Sequence, residues 1–436
     1  MLSRSRRYPL LNGVGVDCCR MRGFEQLESC PAAAGERTGV FVPGCFDVGF
    51  PYIHLETNLT IGDALRRICA GKGTQSDQEL IYTFFHEYLH LVQSSAFEVC
   101  QLPILYNHSL IYDIRVAGIK TRNGGRKLMD HIEPSEDTKL ICRRIKDRYA
   151  VIDLRLSESE CRPFGCVNLL EGAARLLEEE FRGAIVDEDN WRYTAIRTLN
   201  KIYLPKSPLD NRSLLEVCDV ALRCENAAKT FCDILQALGS QGAGVPAVTF
   251  DSVLGLAIKL GCKICNSLSH LVRMSTAKTF GGPLFSHYVK QVQIIYDRMP
   301  RFFGGGALFS KIYDELQNDD KRGLPNCLIA WMANCGSPIV VNDNGVIEAF
   351  DIDYRNVSSV DQNVLGVRAI VESVLHPNKT ICAMKRFCEF AVSQGHSLPL
   401  DESCDQSPWT KKPWDGKLCP YSAIWRAFGL EGLILK

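Results

Sequence analysis

No stretch of about eighteen apolar residues occurs in this 436-residue chain, so no membrane-spanning helix is expected. Charge of one sign is not in excess either. Lysine plus arginine and aspartate plus glutamate both number 50, which argues against nucleic acid or an anionic membrane surface as a partner. The local basic pairs Arg143-Arg144 and Lys321-Arg322 are offset by Asp147 and Asp319-Asp320. No Gly-x-Ser-x-Gly points to a serine hydrolase. Gly304-Gly305-Gly306 lacks the Lys-Ser/Thr of a phosphate loop, and Gly13-Val14-Gly15 lacks the third glycine of a dinucleotide turn. The basic start, Met1 to Arg7, is followed by neither an apolar signal core nor an amphipathic transit pattern, so neither form of targeting is expected. Internal repeats and low-complexity tracts are absent as well.

Cysteine is abundant, at 20 residues. Without a secretory route these read as thiols in a reducing compartment, and the expected location is cytoplasmic. Cys69, Cys100, Cys142, Cys218 and Cys232 lie in apolar helical stretches, where a free thiol acts as a small hydrophobe. Cys262-Lys263-Ile264-Cys265 has no second CxxC to complete a zinc ribbon, and two buried cysteines on a helix are expected there. Cys382, Cys388, Cys404 and Cys419 form a looser set whose spacings match no common zinc finger, which makes a structural zinc the minor reading.

At this length two or three domains are expected, with a mainly α fold carrying a small β component (α+β). Residues 1–35 read as an N-terminal arm, 36–205 as a metal-binding region, 206–335 as a helical region and 336–436 as a C-terminal region with a β-hairpin and helices. Short β-prone pieces are Gly39–Pro43 and Tyr52–Thr57. Helical patterns cover 136–149, 164–184, 190–203, 213–238, 251–275, 284–298 and 306–317, then 361–375, 379–393 and 421–429. Asn344-Gly345 between two β-branched runs predicts a hairpin over 338–350.

The chemistry lies in His86-Glu87-Tyr88-Leu89-His90, an HExxH pattern. Residues four apart share a helical face, so both imidazoles can reach one ion, while Glu87 is displaced to act on water. Ser76-Asp77-Gln78-Glu79 reads as a capping box, predicting a helix over 76–99. On it Ile81, Phe85, Tyr88, Val92 and Val99 form an apolar stripe; His86, His90 and Gln93 lie opposite. Phe97 falls on the histidine side, so that face is expected to be covered too. A polar patch covered on both sides needs partners. A divalent metal, zinc above all, would supply one, with Gln93 placed to orient an imidazole.

The third ligand has to come from elsewhere, since Gln93 and Ala96 rule out the HExxHxxGxxH form. Glu171 is the best candidate and Glu178 the runner-up, with Gly172, Ala173 and Ala174 allowing a close helix approach. The same stripe, Glu171-Arg175-Glu178-Arg182, also has the spacing of an exposed salt-bridged face. With Leu91-Val92-Gln93 after the histidines and the later Glu171-Gly172-Ala173-Ala174, residues 36–205 resemble the zincin metallopeptidases of the glutamate-ligand type. The Asn-Glu-x-x-Ser-Asp of the thermolysin pattern is missing. The resemblance implies Zn2+ held by His86, His90 and Glu171, Glu87 as general base, and a peptide or protein substrate. Under it, His54, Tyr52, Arg175, His270, His287 or Tyr288 would stabilise the carbonyl oxygen, and Tyr52–Thr57 would be the edge strand that pairs with substrate. The competing expectation is a non-catalytic metal-binding or helical interaction protein; a thiol-based redox or metal-handling role is the third.

Overall fold

The computed structural model describes residues 44–435 except 48, 51, 125–126, 158–159, 187–189, 241–247, 304–305, 319–323, 337, 343–346, 350–359, 377–380, 383, 394, 396–397 and 412–418. The expected arm and the strand at Gly39–Pro43 lie outside the described residues. Two strands open the fold, β1 (Gly44–Asp47) and β2 (Tyr52–Leu55), then α1 (Ile61–Cys69), α2 (Gln75–Ala96), α3 (Glu98–Gly124) and α4 (Glu136–Arg148). The hairpin β3 (Ile152–Arg155) and β4 (Cys161–Phe164) leads into α5 (Cys166–Arg182) and α6 (Trp191–Tyr203). A helical run follows: α7 (Asn211–Leu222), α8 (Ala227–Ser240), α9 (Phe250–Lys259), α10 (Ser269–Thr279), α11 (Ser286–Phe302), α12 (Leu308–Asn318) and α13 (Leu324–Cys335). The strands β5 (Ile339–Asn342) and β6 (Ile347–Ala349) precede α14 (Val360–Leu375), α15 (Lys385–Ser393), α16 (Ser403–Gln406) and α17 (Pro420–Ala427). The fold is mainly α with a small β component, and no helix among the described residues is long and apolar enough to cross a membrane.

The four-stranded sheet runs β1-β2-β5-β6, with β2 and β5 parallel and the outer pairs antiparallel. The late hairpin pairs as expected; its turn lies outside the described residues. Because β2 pairs with β5, the sheet ties the regions expected at 36–205 and 336–436 together. It also corrects one placement. Tyr52–Leu55 is an interior strand, and the edges are β1 and β6.

Helix boundaries differ from expectation for physical reasons. The cap of α2 is Thr74, two residues before Ser76. Its hydroxyl accepts from Asp77 N at 3.2 Å and the Asp77 carboxylate accepts from Thr74 N at 2.9 Å, a reciprocal box. Arg67 also pairs with Asp77, holding α1 against this end. At the other end Phe97 adopts an extended conformation and stops α2 at Ala96. Its buried ring packs on Phe309, with Arg223 over its face, so it does not cover the histidines.

α3 follows at once and carries Pro103 inside it. Proline there cannot donate to the Val99 carbonyl, and Tyr149 Oη donates to it instead at 3.2 Å. The patterns at 213–238 and 251–275 each break into two helices, and the two breaks meet. Glu225 N donates to Lys263 O at 2.9 Å and Cys265 N to Arg223 O at 2.7 Å. α9 ends with Gly261 at φ 77°, where Cys262 N reaches back to Ala257 O in a Schellman closure. Cys262 and Cys265 are thus half-buried in a loop, not on a helix.

His108 on α3 is buried against α10, its Nδ1 3.1 Å from Ser275 Oγ and its ring edge-on to Phe280. Burial pushes its pKa down to about 3. Between that value and about 6.5 the unfolded chain binds a proton that the folded chain refuses. The contribution to stability is therefore complete above about pH 6.5 and is lost as pH falls toward 3. In His108→Gln, denaturant unfolding followed from about pH 7 to pH 4 should show a shallower loss, by up to roughly 1.4 kcal/mol per pH unit. A pH slope equal to that of wild type would show that the ring is not held neutral.

Candidate metal centre

α2 and α5 lie antiparallel with a polar seam between them. Arg182 reaches Glu79 at 2.9 Å near one end, and Gln93 Nε2 donates to Leu170 O at 2.9 Å near the other. Positions 79, 82, 86, 90 and 93 recur at three and four residues, so one face of α2 supplies the seam. Aromatic packing holds the helices in register: Phe85 stacks on Phe181 at 4.0 Å, and Tyr82 meets the Phe181 edge at 5.9 Å. Gly172 serves a different neighbour from the one expected. A Cβ there would lie 2.8 Å from Ile196 of α6, so the missing side chain admits α6 rather than α2.

Within the seam, His86 Nε2 and His90 Nε2 are 3.2 Å apart. Glu171 Oε2 lies 3.3 Å from the first and 3.4 Å from the second. A tetrahedron with corners about 2.0–2.1 Å from its centre, the zinc bond lengths to nitrogen and oxygen, has edges of nearly this size. The donor set and its spacing fit a zinc-sized dication. Among the described residues no other three His, Cys, Asp or Glu ligand atoms come within 4.8 Å of one another.

The far side of each ring is fixed as well. Glu178 Oε2 accepts from His86 Nδ1 at 3.0 Å, and Gln93 Oε1 accepts from His90 Nδ1 at 2.7 Å. The Gln93 amide is oriented by its bond to Leu170 O, so its oxygen must face the imidazole. With both Nδ1 atoms donating, both Nε2 atoms point toward Glu171, and in the neutral ring each offers its lone pair there. Glu178, the runner-up ligand, is therefore a positioning residue, held in turn by Arg175 and Arg182 at 2.8 Å each. The stripe whose spacing also fits an exposed ladder has its carboxylates buried, with Glu171 and Glu178 only 2% and 3% exposed, and it serves the ion pairs and the histidines together.

Burial would keep His86 neutral, but Glu171 and Glu178 outweigh it and push the ring's pKa up to about 10. Burial raises the two carboxyls, yet Arg192 and His90 hold Glu171 well below its ordinary range, and His86 with Arg175 holds Glu178 at about 2. Glu87 is also buried and is shifted the other way. Desolvation lifts it, opposed in part by His90 and His86. It faces a cleft of about 600 Å³, part of it open to solvent, with Cys45, Tyr149, Arg192 and Tyr193 also on its walls. β1 can pass this close because residue 44 is glycine; a Cβ there would lie 3.2 Å from Glu87 Cγ and 2.8 Å from Thr83 Cγ2.

Five of the six expected donors are not on this wall. Tyr52 packs under Arg368, Arg175 is committed to Glu178, His270 lines a separate groove, and Tyr288 is buried elsewhere. His54 is not part of the cleft lining, and the His287 side chain lies outside the described residues. Arg192 and Tyr193 stand in the cleft instead, Arg192 paired with Glu171 and Tyr193 edge-on to His86 at 6.0 Å. Asn190 caps α6 and sets both residues in its first turn, a start signal that marked a helix but no function.

No protein-family model matches the chain, and no curated protein or solved structure matches it either.

Two outcomes follow from this geometry. A zinc ion bound here would displace the proton that the raised pKa of His86 retains at neutral pH, so calorimetry in buffers of different ionisation enthalpy should detect release of about one proton per zinc. No proton release would mean the ring is already neutral. Glu178→Gln and Gln93→Leu should each weaken zinc binding by roughly 10–100-fold while leaving both histidines in place. Affinities equal to wild type would remove their positioning role.

Proposed function

We propose that this chain is a zinc-dependent hydrolase that cleaves peptide bonds. The observation that carries the reading is the convergence of His86, His90 and Glu171 from two helices, with Glu87 at the same cleft and outside their hydrogen-bond network. Bound there, zinc would supply a Lewis acid and make a water acidic near neutral pH. Glu87 would accept the proton of the attacking water and return it to the leaving amine. Arg192 and Tyr193, on the cleft wall, would donate to the carbonyl oxygen as it gains charge. The edge strand β1, which forms part of the same wall, would pair with an extended peptide or protein substrate. A cytoplasmic setting is supported by the described cysteines, all free thiols.

Burial of the cluster favours, as a second reading, a metal site that only holds α2 to α5. A structural site closes its fourth position with protein and needs no carboxylate beside it, whereas Glu87 faces the cleft. Metal analysis and a peptide-library cleavage assay separate the two. Wild type should hold about one zinc per chain, His86→Ala should lose it, and Glu87→Gln should keep it while cleaving roughly 10²–10⁴-fold more slowly. Wild type that takes up no zinc on reconstitution sinks the proposal. Zinc without any hydrolysis leaves the structural reading in its place, and undiminished cleavage by Glu87→Gln removes that residue as the base.

A further inference from the structure

Lys411 is a lysine in the wrong place for one. Its side chain is 1% exposed, and a buried ammonium is costly unless it finds a partner. The partner is a thiol: Nζ donates to Cys404 Sγ at 2.7 Å, with Asp401 Oδ1 next at 3.5 Å. Cys404 is itself buried, beside Cys382, whose backbone N–H donates to the Cys404 carbonyl at 2.7 Å. Cys419 is turned to another task, its Sγ capping α17 by accepting from Ser422 N at 3.4 Å. The four buried cysteines of this region invite a metal reading, but among the described residues no three of their sulfurs come within 4.8 Å of one another. The atom against the Cys404 sulfur is a nitrogen.

An N–H···O hydrogen bond spans about 2.9 Å, and sulfur is a larger atom than oxygen. At 2.7 Å the pair is therefore closer than a hydrogen bond to sulfur would set it. A single oxygen atom, bonded to both and bent at a tetrahedral angle, spans that gap with little movement of either side chain.

We propose that Cys404 and Lys411 form an oxidation-dependent modification site, a covalent Sγ–O–Nζ cross-link made with hydrogen peroxide. The reacting pair is thiolate and ammonium. An S–O bond and an O–N bond form, and sulfur and nitrogen each give up two electrons. Those four electrons reduce two peroxides, breaking both O–O bonds. One oxygen stays in the bridge and three leave as water, taking two of the three ammonium protons with them. Asp401 is placed to relay those protons. A dithiol reductant reverses the reaction, returning thiol and amine.

The test uses the full chain, treated with peroxide, unfolded, thiol-blocked and mapped by tryptic mass spectrometry. Cys404 and Lys411 should appear joined in one peptide about 14 Da heavier than the unmodified pair, with cleavage after Lys411 lost and restored by dithiothreitol. Cys404→Ser and Lys411→Arg, which keeps a buried cation, should both abolish the product. Three results would overturn the proposal: a link about 2 Da lighter, meaning a direct S–N bond; a disulfide from Cys404 to Cys382, Cys388 or Cys419; or Cys404 recovered fully blocked.

Discussion

The structure turns on buried charge between α2 and α5. Glu79, Glu171 and Glu178 face Arg175, Arg182 and Arg192 along a seam from which water is largely excluded. With Glu87 at the adjoining cleft, carboxyl groups outnumber guanidinium groups, which favours a further positive charge among them. A proton on His86 meets that need, and so would a dication between His86, His90 and Glu171. Breaking a buried pair by removing one partner costs about 3–5 kcal/mol. The seam is thus held by the same balance that would admit a dication there.

The scaffold around the seam fixes its distances. Phe97 ends α2 just after Gln93, and the start of α3 is completed by Tyr149, which takes the carbonyl that Pro103 cannot use. Leu170 O orients Gln93, Gln93 orients His90, and Glu178 orients His86. Each imidazole is therefore set from the side away from its partner. Gly44 lets β1 pass close over Glu87, which places a sheet edge against the cleft.

Much of this organisation was legible in the chain. The HExxH spacing marked the face of α2, and Glu171 and Gln93 could be named from their spacing and helical register. Asn190, Thr74 and Gly261 were readable signals for helix ends, although Ser76 was taken for Thr74 because both precede an acid by three residues. The unbroken patterns at 213–238 and 251–275 misled because their apolar periodicity continues through the breaks. What stops those helices is a pair of backbone hydrogen bonds between residues 38 and 42 positions apart, which no local pattern carries. Arg192 and Tyr193 escaped notice for the same reason.

The sequence alone determined which groups can bind and move protons, because residue type and a spacing of four on one helix decide where two imidazoles point. It also determined the helical class of the fold through its apolar periodicity. Only tertiary structure decided whether the stripe Glu171-Arg175-Glu178-Arg182 lies in water or in the seam. A salt-bridged surface and a buried ligand face have the same periodicity. What separates them is the neighbour, and here the neighbour is the histidine face of α2, which turns Glu171 toward both imidazoles and leaves Glu178 behind one of them.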